Sequence, residues 1–495
     1  MSTDILFEPI AGFPVSVFSA CVVFLWFVFA WETYLDIRQY MTVLKATRPP
    51  QELSTVISDE EFAKSKSYAL DKSRYSFVHD TYGMIILTLI LYYAVLPWLW
   101  TKVTIHVSSL NEFTRRKLGF DMRINSESEL SISILFCFYI SVILLIESIP
   151  WSLYFIFVLE EKHGFNEQTL GFFFKDLLKM FVVSLLIGLP ILSLLIWIIK
   201  SGGQYFYIYA YCFLLAVTFI MMFIYPEFIA PLFDRYEPLP DGTLRQKIEA
   251  FAASIDFPLK KLLVVQGSKR SAHSNAYLYG FWKNKRIVLY DTLIRDFKFP
   301  EKDGATSPVS STTESENSSR GCAVDEEVVA VVGHELGHWK LNHILINLFI
   351  TLANLLLMSV VFGFIMKMDW IFHSFGFAPP VSILVRLMIV FQFIFSPYNT
   401  ILSFLTTVLS RRFEFQADAF AVNLGFGEHL RSALFVLQKD NLSFSIIDWL
   451  YSLFNLSHPP LLERIKAIDA AIAKQSMLST NEVDFDVSSS VSMLL

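Results

Sequence analysis

The sequence has few charged residues and few cysteines for its length. Charged side chains make up 17% of the 495 residues, against about a quarter in an ordinary soluble protein. The four cysteines show no paired spacing, which excludes a disulfide framework and a cysteine-based zinc finger. The formal net charge of −6 supplies no basic surface, which excludes nucleic acid as a partner. Residues 1–12 contain no Lys or Arg, so we expect a retained anchor and no cleaved signal peptide.

Apolar residues are abundant instead. They make up 54% of the chain, and the mean hydropathy is +0.49. A helix that spans a bilayer needs about 20 mostly apolar residues. Seven segments meet this requirement: 13–30, 81–100, 131–158, 181–199, 204–225, 344–366 and 381–409. The composition therefore predicts a mainly α-helical membrane protein with seven transmembrane helices. We expect the two longest segments to tilt, to kink at Pro150 and Pro397, or to project beyond the bilayer.

Basic residues are distributed unevenly between the loops. Seven lie in the loop 31–80, and Arg411 and Arg412 follow the last apolar segment. The positive-inside rule then places the N-terminus in the lumen and the loop 226–343 in the cytosol. Five basic residues in the loop 101–130 argue for the opposite orientation.

The soluble parts of the chain are separated in sequence. Within the loop after the fifth span, the apolar spacing predicts a helix at 244–255 and strands at 262–265, 276–281 and 286–290. Ser-rich sequence predicts disorder at about 303–323 and again in the tail. The predicted order is transmembrane helices 1–5 (1–225), cytosolic protease insert (226–343), transmembrane helices 6 and 7 (344–409), second protease segment (410–474) and disordered tail (475–495).

His334, Glu335 and His338 form the motif His-Glu-Leu-Gly-His. The two histidines are four residues apart and so share one face of a helix, where both imidazoles can bind one zinc ion. Glu335 lies beside the first ligand and can serve as a general base toward water, which makes the pattern a protease motif. No Pro occurs between residues 325 and 366, so we predict one helix that carries the motif and continues into the membrane. A chance match on an ordinary amphipathic helix is the alternative.

A catalytic zinc ion needs a third protein ligand. Glu414 is the best candidate, because it follows the last apolar segment on the membrane side that carries the motif. Asp418, one turn further on, is suited to orient a ligating histidine or to hold an arginine. The alternative is that Glu414 pairs with Arg411 or Arg412 on a solvated turn.

Three further features are less specific. His458 precedes a Pro-initiated helix that carries Arg464, and this pair could stabilise an oxyanion, although a plain helix start is the alternative. Asn275, Ala276 and Tyr277 open a predicted strand that could hold an extended peptide by backbone pairing; a plain hairpin is equally compatible. His343 lies about 140° round the predicted motif helix from His338, so we interpret it as an interfacial residue and not as a ligand.

These stretches resemble the type I CAAX prenyl endoproteases, which are seven-span eukaryotic enzymes of the endoplasmic reticulum and nuclear envelope. The resemblance extends from about residue 31 to about residue 470. Besides the metal motif, it rests on 161–166 (Glu-Lys-His-Gly-Phe-Asn), 273–280, 410–420 and 457–464. The main departure is the acidic, Ser-rich insert before Cys322, which leaves the site residues unchanged.

The resemblance implies seven helices around a water-filled chamber, closed at the cytosolic end by a zincin-like α+β metalloprotease domain. It implies one zinc ion per chain, with the ligands His334, His338 and Glu414. It implies Glu335 as the general base. The implied supporting or transition-state groups are Asp418, His458 and Arg464, and the implied substrate contacts are Asn275, Ala276 and Tyr277.

The implied activity is removal of the last three residues from isoprenylated proteins that end in Cys-aliphatic-aliphatic-X. Some family members cut the same precursor again upstream. The implied surroundings are the endoplasmic reticulum membrane and the inner nuclear membrane, with membrane lipid and prenylated proteins as partners, and we predict a monomer. The alternatives are a broader quality-control metalloprotease and a non-enzymatic transporter or scaffold. Against the latter, the apolar segments contain few ionisable residues apart from Glu147.

Overall fold

The computed structural model describes residues 16–54, 56–117, 129–280, 284–299 and 320–492. Helices dominate these residues. In chain order they are α1 (Val17–Lys45), α2 (Asp59–Tyr92), α3 (Val95–Lys117), α4 (Glu129–Tyr154), α5 (Leu170–Ser201), α6 (Phe206–Ile224), α7 (Ala230–Phe233), α8 (Thr243–Ser254), α9 (Asp325–Lys340), α10 (His343–Ile365), α11 (Asp369–His373), α12 (Ile383–Ile389), α13 (Ser396–Ala421), α14 (Gly427–Asp440), α15 (Trp449–Asn455) and α16 (Leu461–Ser492). The strands are β1 (Tyr236–Pro238), β2 (Leu259–Val265), β3 (Ala276–Tyr279) and β4 (Lys285–Tyr290).

Among the described residues, five helices are long and apolar enough to cross a membrane by themselves. They are α1, α5, α10, the continuous helix Glu129–Glu160 that includes α4, and the continuous helix Gly203–Phe233 that includes α6 and α7. Two bent pairs, α2 with α3 and α12 with α13, pass the same test together, and counting each pair as one span raises the total to seven. Each of the seven predicted apolar segments overlaps one of these helices or pairs.

The second predicted segment, 81–100, is not a straight helix. The chain bends by 63° between α2 and α3, where Ala94 has a φ of 49°. Pro97 explains the break, because its nitrogen has no hydrogen to donate to the carbonyl four residues earlier. In the last predicted segment, 381–409, the predicted kink is confirmed: α12 and α13 differ in direction by 55°, and Pro397 lies in the first turn of α13.

The soluble part is built on a four-stranded sheet in the order β1-β2-β4-β3. β2 runs parallel to β4, while β3 pairs antiparallel with β4 and forms an edge of the sheet. Helices α8 and α9 pack together on this sheet around a core that includes the fully buried Ile248, Leu289, Val332 and Leu336. The three predicted strands are confirmed with small shifts in their bounds, and the short strand β1 was not predicted.

The motif helix ends earlier than predicted. α9 stops at Lys340, and α10 begins only at His343. Asn342 between them adopts a left-handed conformation with a φ of 62°. The prediction of one continuous helix through 366 is therefore wrong. Asparagine is one of the few residues that adopts this conformation readily, so the signal was present in the sequence.

The structure describes part of each of the two regions predicted to be disordered. Residues 303–319 lie outside the described residues. After them, Gly321 donates its backbone N–H to Asp440, and the buried Cys322 forms a β-bridge with Ile294. The tail predicted from 475 continues helix α16 as far as Ser492, because no Pro or Gly interrupts that stretch.

The break at Asn342 gives a stability prediction. Asn342→Val should lower the free energy of unfolding by about 1–2 kcal/mol, because a β-branched residue is strained in the left-handed region. Asn342→Gly should leave the thermal unfolding midpoint of the purified protein unchanged or raise it slightly. An Asn342→Val protein that unfolds at the same temperature as Asn342→Gly would contradict the described backbone.

Candidate metal centre and active site

Close packing between α9 and α13 assembles the site. Gly337 lies within the histidine motif, and a Cβ atom added to it would be 3.1 Å from the Cα atom of Ala417. Any larger residue at 337 would therefore push the two helices apart. The absence of a side chain lets α13 approach so closely that Glu414, one turn before Ala417, lies beside both histidines.

Three side chains converge on one point. The Nε2 atoms of His334 and His338 are 3.3 Å apart. Glu414 Oε2 lies 3.5 Å from His334 Nε2, and Glu414 Oε1 lies 3.3 Å from His338 Nε2. His334 and Glu414 are buried, and His338 is partly exposed. The structure thus brings together the three predicted ligands from two helices that are distant in sequence.

This arrangement fits a metal ion. Zinc in proteins is bound tetrahedrally, with Zn–N distances of about 2.0–2.1 Å, so its ligand atoms lie roughly 3.3–3.4 Å apart. The three observed separations agree with that value. Glu414 Oε2 is also a buried oxygen that accepts no well-aligned hydrogen bond in the described structure. A cation between these atoms would satisfy it.

Asp418 and Arg464 orient the first histidine. His334 Nδ1 donates to Asp418 Oδ1 at 2.8 Å, which leaves Nε2 free to bind a metal ion. Arg464 donates from Nε and Nη2 to both oxygens of Asp418, at 2.9 and 2.6 Å. Burial by itself lowers the pKa of His334, but the hydrogen bonds to Asp418 and Glu414 outweigh it and raise the pKa to about 9. The two carboxylates therefore favour a positive charge beside this imidazole, which a metal ion at Nε2 would supply.

A second chain of contacts orients the other histidine, and the sequence reading missed it. His343 Nδ1 lies 3.0 Å from His338 Nδ1, and His343 Nε2 lies 3.0 Å from Gln416 Oε1. Because an amide oxygen only accepts, Nε2 of His343 carries the proton and Nδ1 accepts from His338. The ring of His343 also stacks on Phe413 at 4.0 Å. His343 is buried at the start of α10, and it is not one of the three residues that could hold the metal ion.

Glu335 is placed for acid–base chemistry. It lies between the two histidines in sequence, and burial raises the pKa of its carboxyl group while the two neighbouring imidazoles lower it in part. A raised pKa brings a carboxylate closer to the range in which it can accept a proton in one step and donate it in another.

The alternative placed Glu414 on a solvated turn beside Arg411 or Arg412, but Glu414 is buried and Arg411 contacts other groups. Its guanidinium donates to Glu463 Oε2 at 2.8 Å and to Ser452. His458, on the loop before α16, is exposed, and its Nδ1 lies 2.9 Å from Glu414 Oε2. Of the two residues considered for oxyanion stabilisation, Arg464 is thus held mainly by Asp418, whereas His458 faces the open side of the site.

The predicted substrate strand lies at the sheet edge. Ala276 and Tyr277 begin β3, and the Asn275 carbonyl just before it accepts from the Tyr290 N–H at 3.0 Å. β3 is hydrogen-bonded to β4 on one side and packs near α9. Among the described strands none pairs with its other side.

Comparisons with known proteins agree with this site. Residues 39–235 match the family model described as CAAX prenyl protease N-terminal, five membrane helices, and residues 238–472 match peptidase family M48. A CAAX prenyl protease 1 homologue of Taenia solium is 52% identical over 94% of this chain and 98% of its own length. The human homologue is 47% identical over 91% of this chain and 95% of its own.

The chain belongs to the CAAX prenyl protease family.

This membership confirms the resemblance seen in the sequence, and it makes the protein a multi-pass membrane metalloprotease of family M48. The crystal structure of Ste24p from S. mikatae has the same overall fold, with a TM-score of 0.75, 33% identity and coverage of 90% of this chain and 97% of that one. The likeness extends over both the membrane helices and the peptidase part of the CAAX prenyl protease fold.

The contact between His334 and Asp418 gives a testable prediction. Asp418→Asn should weaken zinc affinity by about 10–100-fold, because the neutral amide holds the imidazole less firmly than the carboxylate does. Competition with a fluorescent zinc chelator measures this change.

Asp440→Asn is the matched control, since Asp440 is also buried but accepts from the Gly321 N–H and is not one of the site residues. Equal zinc affinity in both variants would show that Asp418 does not orient a ligand.

Proposed function

We propose that this protein is a zinc endopeptidase that removes the last three residues from isoprenylated proteins ending in Cys-aliphatic-aliphatic-X. One observation carries the proposal: the Nε2 atoms of the two motif histidines are 3.3 Å apart, and each lies 3.3 or 3.5 Å from an oxygen of Glu414. Glu335 follows His334 directly in the sequence. Family membership supports the class of substrate, since the similar proteins are named CAAX prenyl proteases.

The residues around the metal centre have separate tasks in this proposal. A zinc ion held by His334, His338 and Glu414 supplies Lewis-acid chemistry for peptide hydrolysis. Glu335 takes the proton from the attacking water and later passes it to the leaving amine. His458, which faces the open side of the site, donates to the oxygen on which negative charge develops.

The substrate peptide is proposed to pair with the free edge of β3, beginning at Asn275, Ala276 and Tyr277. Backbone pairing to an edge strand holds a peptide extended whatever its side chains are. The position of β3, antiparallel to its neighbour β4 and packed near the motif helix, supports this arrangement and a zincin-like peptidase domain.

The membrane setting is also part of the proposal. We place the peptidase part on the cytosolic face of the endoplasmic reticulum and inner nuclear membranes, the N-terminus in the lumen, and seven spans around a chamber, in a protein that acts as a monomer. In the helices that cross the membrane alone, only 6 to 22% of the residues in the most apolar window are buried. Helices in a tightly packed bundle would have more buried residues. The small buried share therefore supports an arrangement in which the helices surround a hollow chamber.

Replacing the base tests the reaction. Glu335→Gln should lower the cleavage rate of a farnesylated peptide by about 10²–10⁴-fold or more, because an amide cannot accept the proton. Its bound zinc should be unchanged, since Glu335 is not a ligand. Glu326→Gln is the control, because Glu326 lies on the same helix but forms an exposed ion pair with Lys247. Full activity in Glu335→Gln would refute the assigned base.

Substrate modification tests the substrate class. The wild-type protein should cleave a farnesylated peptide much faster than the same peptide without the isoprenoid, because each methylene group buried in an apolar environment contributes about 0.8 kcal/mol. Mass spectrometry of the products should show loss of the last three residues. Equal rates on both peptides would favour the quality-control alternative, and bound zinc without cleavage of either peptide would favour a non-enzymatic role.

A further inference from the structure

A large groove lies along strand β3, contains none of the metal-centre residues in its lining, and is not used by the chemistry proposed above. It has a volume of about 1010 Å³ and is bounded by α5, the end of α6 and strand β3. Cavities of about 300–1,000 Å³ are typical of small-molecule sites. The wall formed by the two helices is apolar and includes Met180, Val183, Ile187, Gly188, Met221 and Met222.

The charged groups of the groove neutralise each other. Among the described residues that line it, Arg270 and Asp234 are the only charged ones, and Arg270 Nε donates to Asp234 at 2.7 Å. The same guanidinium donates to Asp176 on α5 at 2.6 and 3.1 Å and to the Phe233 carbonyl. The two charged groups that line the groove are thus paired with each other, and Asp176 is buried against the same guanidinium outside the lining, so an uncharged, apolar occupant suits the groove.

The groove is continuous with the proposed peptide site. Its lining includes Tyr277, Leu278, Tyr279 and Gly280, so one side of the edge strand β3 forms its wall. It also includes Ile344, the residue after His343, which contacts the ligand His338. A side chain of a peptide paired with β3 can thus enter the groove while the peptide backbone stays at the metal centre.

The groove extends from the soluble domain into the membrane-spanning part. Asp176, which anchors Arg270, lies near the start of α5, and Gly188 lies twelve residues further along the same helix. At 1.5 Å per residue this is about 18 Å along the helix axis. Gly188 lies within the apolar stretch 181–199, so the far end of the groove is at the depth of acyl chains.

We infer that this groove binds the isoprenoid chain of the substrate while the attached peptide pairs with β3. The inference rests on the proposed function, since it assumes an isoprenylated substrate. Three observations support this occupant: the apolar helical wall, the shared wall with β3 beside the metal centre, and the extension into the span. A membrane phospholipid chain in the same groove would be a competing occupant, which the test separates.

Gly188 allows a direct test. A Cβ atom added there has no atom within 4 Å, and the residue has ordinary helical geometry, so Gly188→Trp should place its ring in the groove without a backbone clash. Gly171→Trp is the matched control, because Gly171 lies on the same helix with equally open space but does not line the groove. Both variants should keep bound zinc and the wild-type unfolding midpoint.

The expected result is a change in KM. Gly188→Trp should raise KM for a farnesylated peptide about tenfold or more with little change in kcat, since lost burial of two methylene groups corresponds to about that factor. Gly171→Trp should match the wild type. A KM for the farnesylated peptide that is equal in the two variants would overturn the inference, even when the wild type prefers that peptide and the proposed function therefore stands.

A binding measurement separates the groove from the reaction. In the Glu335→Gln protein, a peptide that carries a photoreactive isoprenoid should crosslink to residues 180–188 and 221–222, and Gly188→Trp should abolish the crosslink. Crosslinks confined to other helices would overturn the inference. So would native mass spectra in which Gly188→Trp displaces a copurified phospholipid while the isoprenoid crosslink persists.

Discussion

The metal centre depends on the close approach of two helices at Gly337. Its missing side chain lets α13 lie against α9, and this single contact brings a carboxylate from one segment of the chain to two imidazoles of another. Their nitrogen and oxygen atoms are spaced like ligands around one cation, and such a cation would satisfy the buried Glu414 Oε2. The packing of α9 against α13 thus keeps these ligands together. A bound metal ion would stabilise the folded protein further, because metal binding adds to the free energy of folding.

The Nδ1 atom of each histidine contacts a different part of the fold, and this contact orients the ring. His334 is fixed through Asp418 and Arg464, which tie the motif helix to α13 and α16. His338 is fixed through His343, which belongs to the apolar helix α10. One ligand is therefore positioned by the soluble domain, and the other by the start of a helix that can cross the membrane. The two parts of the chain, although separate in sequence, contribute to one centre.

The sequence predicted the parts of the site that depend on spacing within one helix. His334, Glu335 and His338 follow from helical periodicity, and Asp418 follows from Glu414 in the same way. The contact of His343 with His338 could not be predicted from periodicity, because it exists only where the helix breaks at Asn342 and the chain changes direction. The bend at Ala94 was missed for a similar reason: hydropathy reports how apolar a segment is, not whether Pro97 interrupts its hydrogen bonds.

Helix α13 has a consequence for the surroundings in which the protein works. It runs without interruption from Ser396, beside the bend in an apolar segment, to Glu414 and beyond. Eighteen residues of helix correspond to about 27 Å, a distance that does not change when the host bilayer does. The distance between the reactive centre and the bend in the apolar segment is therefore fixed by the length of α13. In a thicker or thinner bilayer, the lipid surface would lie at a different height relative to the reactive centre.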